Sequence, residues 1–181
     1  VTMYFSETIL SGSISPIELT FVNQDLSAVY TLTNMVGVTG DSPIITMTLT
    51  DADQNLLKAI RTVGTSTSDT YVSITSQFAT DMNGNAIVAI NATSALNVDV
   101  FTPDTIAPRL ISYSLNMDTG ILDLSFSETI KGVDTFQITE VQLQSEATLA
   151  GIEFVLRFDN TPSDTMDATH FAVHLNVEDM D

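Results

Sequence analysis

The pentapeptide Phe5-Ser6-Glu7-Thr8-Ile9 returns unchanged as Phe126-Ser127-Glu128-Thr129-Ile130. A repeated motif separated by about the length of one small β-domain marks a chain built from copies of one unit. The residues leading into each copy alternate in the same phase. Val1, Met3 and Phe5 are apolar in the first, and Leu122, Leu124 and Phe126 in the second, with Thr2, Tyr4, Asp123 and Ser125 between them. A period of two sends one set of side chains to a buried face and the other to water, which predicts a half-buried β-strand in both places.

The correspondence continues downstream. Tyr30-Thr31-Leu32 matches Phe154-Val155-Leu156, and Ile45 to Leu49 matches Phe171 to Leu175, with small insertions of the kind that loops absorb. The copies are out of phase, because the second is preceded by an apolar stretch, Leu110 to Leu115, that the first lacks. The expected organisation is about one and a half units of a longer tandem array. Residues 1–103 form a repeat lacking its first strand, and residues 104–181 the first part of another.

Between these anchors the pattern is mostly β. Strands are expected at Ile14 to Val22, Ala28 to Leu32, Ile45 to Leu49, Tyr71 to Ile74, Ala86 to Ile90 and Val98 to Phe101. Asn34 to Pro43 reads as a loop from Gly37, Gly40 and Pro43, and Asn116 to Gly120 as a hairpin turn. One segment has helical spacing instead. From Thr50 or Asp51 to about Thr62, Ala52, Leu56, Leu57 and Ile60 lie on one stripe, acids stand in the first turn, Lys58 and Arg61 in the last, and Gly64 follows. This predicts a short helix crossing between two sheets. Thr102 to Pro108, with two prolines, is a stiff linker.

Charge narrows the partners. The chain carries 23 acids against 5 bases, a net charge of −18, so it repels nucleic-acid phosphates and anionic membrane surfaces and favours cations or neutral and basic partners. Cysteine is absent, which excludes disulfides and Cys-based zinc sites. No apolar run approaches the roughly 20 residues that span a bilayer.

The motif set Asp104-Thr105-Ile106-Ala107-Pro108, a hairpin, a strand ending in Phe-Ser-Glu, and Asp81-Met82-Asn83-Gly84-Asn85 resembles the bacterial Ig-like domains of surface-layer proteins and large adhesins. That resemblance implies an all-β fold of tandem Ig-like Greek key β-sandwich repeats, each here with a short crossing helix, used without catalysis on cell surfaces or in secreted fibres. Its partners would be neighbouring repeats of the same chain and other copies in a filament or surface layer. The helix at Asp51 to Arg61 departs from the family pattern.

The candidate sites are few. Hard cations take oxygen ligands at short spacing, and Asp51-Ala52-Asp53-Gln54-Asn55 and Asp81-Met82-Asn83-Gly84-Asn85 each offer three at alternate positions. Calcium is therefore a candidate ligand of Asp51, Asp53 and Asn55 and of Asp81, Asn83 and Asn85, with a third possible set in Asp99, Asp104 and Glu128 near the linker. Against it, Asp51 suits a helix N-cap and the second run a plain turn. Glu7 and Glu128 occupy equivalent places in successive copies, so they do not form a catalytic pair. His170 and His174 lie on one face of an expected strand, about 14 Å apart, too far to share an ion. Asn91-Ala92-Thr93 is a glycosylation sequon if the chain is secreted, whereas Asn160 precedes Thr161-Pro162 and is not. The leading expectation is an extracellular or cell-surface structural or adhesive protein. The alternative is a carbohydrate-binding or enzyme-ancillary module, which the lack of Trp and the presence of only 4 Tyr disfavour. A hydrolase is third, since no nucleophile motif is present.

Overall fold

The structure is a computed structural model that describes residues 1–131, 137–146, 153–156, 161–162 and 168–176. It divides into two compact units, Val1–Thr105 and Ile106–Asp181. Among the described residues, apart from one helix and short 3-10 turns, the fold is all-β.

In the first unit, β1 (Thr2–Ile9) pairs antiparallel with β5 (Ser42–Leu49), which pairs with β4 (Met35–Val38). A second sheet has the order β3 (Val29–Thr31), β2 (Leu19–Val22), β6 (Tyr71–Ile74) and β7 (Leu96–Asn97). The helix α1 (Asp51–Ala59) lies in the connection from β5 to β6, and so between the two sheets in the chain. Both sheets feed one core, in which Leu19, Leu32, Ile45, Met47, Val63 and Phe78 are fully buried. Burial of this apolar set supplies the main driving force for folding, at about 25 cal/mol per Å² removed from water.

In the second unit, β8 (Leu110–Asn116), β9 (Ile121–Ile130), β13 (Ala168–His174) and β12 (Thr161–Pro162) make one sheet in the order β12-β13-β9-β8. The short strands β10 (Gln142–Gln144) and β11 (Glu153–Val155) make another. Its core gathers Leu122, Leu124, Ile138, Leu156, Val173 and Leu175.

The two units form the same pairs. Met3 faces Ile45 in one and Leu124 faces Phe171 in the other, which is the alignment read from sequence. Phe21 opposite Tyr30 is matched by Leu143 opposite Phe154, and Val38 opposite Met47 by Pro162 opposite Val173. Even a loop bond recurs: Leu32 N–H donates to the Leu19 carbonyl at 3.0 Å, and Leu156 N–H to the Val141 carbonyl at 3.1 Å. Matching register is a stronger identity than matching composition, since a slip of one residue would turn every side chain to the opposite face.

Several local expectations need correction. Ile14 to Val22 is a strand only from Leu19, because Pro16 opens a 3-10 turn closed by Glu18 N–H on the Ser15 carbonyl. The expected loop from Asn34 to Pro43 contains β4 and the start of β5. Gly37 is absorbed where the register shifts between Met35 and Gly37, so a bulge on an edge strand hides the strand from a pattern-based reading. Ala86 to Ile90 contributes only the isolated bridges Thr80–Ala86 and Ile74–Ile90. Val98 to Phe101 is not a strand, and β7 ends at Asn97. The helix ends at Ala59, and it turns Asp53, Leu57 and Ile60 inward while Ala52 and Leu56 face water. Its counterpart in the second copy would fall at residues 177–181, outside the described residues.

Candidate functional site

Several acidic side chains of the first unit, Asp25, Asp41, Asp53, Asp69 and Asp81, accept backbone N–H groups of their own unit. Thr50 caps α1 by accepting the Asp53 N–H at 3.0 Å, and its hydroxyl donates back to Asp53 Oδ2 at 2.7 Å. Asp53 Oδ1 accepts from the Tyr30 hydroxyl at 2.7 Å and from both the N–H and the hydroxyl of Thr33 at 2.9 Å. Oδ2 also accepts from the Asn34 N–H at 3.2 Å. A carboxylate with no exposed surface is stable only when its oxygens are saturated in this way. Burial pushes its pKa up, but the donors from Tyr30, Thr50 and Thr33 outweigh that and hold it at about 2. The Tyr30 hydroxyl is correspondingly pushed upward by burial and by its bond to Asp53. The sequence signal for this anchor is the Thr-x-x-Asp spacing of Thr50 and Asp53, a capping-box pattern that the alternating-oxygen reading passes over.

Asp51, Asp53 and Asn55 are therefore not brought together as ligands. On a helix, positions two apart project to opposite sides, so Asp51 and Asn55 share a face that Asp53 leaves. In the second run, Asp81 Oδ1 accepts the Asn83 and Asn85 N–H groups at 2.8 and 2.7 Å, and Oδ2 accepts the Asn85 amide at 2.7 Å. Gly84, at φ 83°, supplies the left-handed residue that this turn requires. The Asn85 side chain presents its N–H₂ to the carboxylate, and these bonds hold the Asp81 pKa down. A calcium ion here would have to displace them. Asp104 is engaged by Lys58, with Nζ 2.5 Å from Oδ2. Asp99 is exposed in the first unit, and Glu128 belongs to the second. Among the described residues, no three His, Cys, Asp or Glu side chains gather to hold an ion. In both runs the carboxylate oxygens of Asp53 and Asp81 are already engaged by protein donors.

Asn91 is exposed, just before a 3-10 turn at Ala92–Ser94, while Asn160 lies outside the described residues. His170 and His174 are both exposed on β13, and His170 stands 3.8 Å from Asp123. Glu7 is exposed on β1.

A further concave feature of the first unit is of another kind. A groove of ≈ 1120 Å³ runs along β1, walled on its far side by β6, β7 and residues 86–90 and 98–102. Its lining is mainly apolar, and Tyr4, Val88, Leu96 and Val100 stand exposed beside it. Met3 and Phe5, expected in the core, are only half-buried because this groove leaves them uncovered.

No helix among the described residues is long and apolar enough to cross a membrane. Comparison of the chain with family models, with curated proteins and with solved structures finds no match.

Proposed function

We propose that the chain is part of a non-catalytic extracellular or cell-surface structural protein, built of tandem Ig-like Greek key β-sandwich repeats that form a stalk, fibre or surface filament. The observation that carries this is the shared strand register of two consecutive units, down to single backbone bonds. A chain that spends its length repeating one scaffold gains reach and spacing from it. The placement of acids supports the same reading. Asp53, Asp69 and Asp81 saturate turns and caps, so these acids serve the scaffold itself. The remaining acids keep the surface strongly negative and discourage non-specific association.

The test is mechanical. Stretched between its ends, a tandem array unfolds in separate steps, one for each unit, and each step releases a length set by the residues in that unit. A single cooperative rupture of the whole chain would contradict the proposal. The carbohydrate-binding alternative rests on the exposed rings of Tyr4 and Tyr113. Neutral and acidic glycans that leave both tyrosines' fluorescence and ring resonances unchanged dismiss it.

A further inference from the structure

Asn23, Asn85 and Asn97 put their side-chain amides to structural use. Nδ2 donates to Ser27 Oγ at 2.9 Å in the first, to Asp81 Oδ2 at 2.7 Å in the second and to the Thr67 carbonyl at 2.7 Å in the third. Asn91 does not. It is the N-cap of the 3-10 turn Ala92–Ser94 yet makes no side-chain capping bond, and the turn is closed by the Ser94 N–H on the Asn91 carbonyl at 2.9 Å. An asparagine at a cap ordinarily uses its side-chain oxygen to take an orphan N–H. Because Asn91 is held by its backbone alone, a substituent on its Nδ2 disturbs no bond of the fold. Asn91, Ala92 and Thr93 are all exposed, and neither the Asn91 amide nor the Thr93 hydroxyl has a hydrogen-bond partner among the described residues. The surface beside this spare amide is concave. A trough of ≈ 290 Å³ that Asn91 itself helps to line is formed by Thr20, Ser73, Thr75 and Ser76 together with Ala89 and Ala92, and no residue of β1 takes part. Thr20 and Ser73 are partners across β2 and β6, on the face opposite to the buried Leu19 and Phe21.

We infer that Asn91 is a site of N-linked glycosylation and that the trough beside it receives the first sugar, a neutral one. The inference rests on the extracellular reading above, since such a sequon is modified in an exported chain. The bond formed joins Asn91 Nδ2 to C1 of the sugar, and the bond broken is the one between C1 and the pyrophosphate of a polyprenyl-pyrophosphate-linked oligosaccharide. The electron pair of that C–O bond leaves with the pyrophosphate, the amide gives up one proton to the transferase, and nothing is oxidised or reduced. Thr93 supplies the hydroxyl that the sequon requires two residues on, and it is free to be read. The trough suits a sugar ring because its hydroxyl side chains exchange hydrogen bonds with ring hydroxyls, while Ala89 and Ala92 offer small apolar surface to the C–H face. Charge selects against an acidic sugar. Glu18 also lines the trough, its Oε2 accepting from the Thr75 hydroxyl at 2.5 Å, and the chain as a whole carries −18.

The experiment takes the chain as its own cells make it, separates exported from intracellular material, and reads the peptide containing Asn91 by mass spectrometry. Exported chain is expected to carry a glycan on Asn91, removable by an amidase that leaves aspartate in its place. Asn91→Gln and Thr93→Val should each abolish the adduct. Asn91→Gln should also leave the melting temperature of the sugar-free chain within a few degrees, because no bond of the fold is lost. Exported chain that is unmodified at Asn91 overturns the inference and leaves the extracellular reading standing. Chain found only inside the cell and unmodified overturns both. The place of the sugar is read separately, from amide chemical shifts before and after its release. Changes that reach Thr20, Ser73, Thr75 and Ser76 support the trough, and changes confined to Asn91 and the turn Ala92–Ser94 overturn it as the sugar's seat.

Discussion

Asp53 is a buried acid that earns its position by holding α1 against the β3 end of the second sheet. Its folded pKa of about 2 lies below the ordinary 3.8. The sign of the linkage follows: the unfolded chain binds the proton more readily, so the carboxylate stabilises the fold fully above pH ~4 and loses that contribution as pH falls towards 2. A depression of this size is worth roughly 2 kcal/mol at neutral pH. Asp53→Asn keeps the shape but presents an N–H₂ to groups that themselves donate, and it should cost about 2–4 kcal/mol, most of it absent below pH 2. Urea titrations of both proteins at pH 7 and pH 2 check this. Equal losses at the two pH values would mean that the charge is not the anchor. Asp69 behaves in the same way. It accepts from Thr65, Ser66 and Thr70, and it too is held at about 2 despite burial. Acid unfolding should therefore begin in this half-helical connection between the sheets.

At the scale of elements, the aromatic in the middle of the second repeat strand is less buried than its pattern suggests. Phe126 is half-covered and meets the fully buried Phe171 edge-on, with ring centroids 6.4 Å apart. Phe171→Ala should cost about 3–5 kcal/mol, and Phe126→Ala clearly less, by thermal or denaturant melting. The reverse order would mean that the strand phase is wrong. The strands themselves were legible where alternation was clean: Val1 to Phe5, Ile45 to Leu49 and Leu122 to Phe126 declare their faces through side chains alone. β4 was not, because its glycine bulge breaks the period while its backbone bonds persist. The segment at 98–101 erred the other way. Val98 and Val100 alternate as a strand would, but a strand also needs a neighbour, and that is a tertiary fact no local period contains. The hydrogen bonds that occupy the Asp53 carboxylate were unread for a related reason. Spacing shows that oxygens are near in sequence, whereas donors to Asp53 such as Tyr30 and Thr33 come from a distant strand and its loop, while those to Asp81 come from its own turn.

For the whole molecule, the charge of −18 acts as a general field that any cation screens. Calcium and magnesium at matched ionic strength should raise the melting temperature alike, by screening. A rise specific to calcium would require that the bonds of Asp81 or Asp53 open to admit it. The central claim is that Val1 to Ile9 and Ile121 to Ile130 are the same strand in two copies of one unit, with Asp123 and Ser125 flanked by strands on both edges and, among the described residues, Thr2 and Tyr4 on one. Amide hydrogen exchange of the unmodified chain tests this at single residues. Met3 and Leu124, turned towards β5 and β13, should be protected in both copies. Asp123 and Ser125 should be protected by β8, while Thr2 and Tyr4 exchange freely. Equal protection of Thr2 and Asp123 in dilute solution, or loss of protection at Leu124, would contradict it.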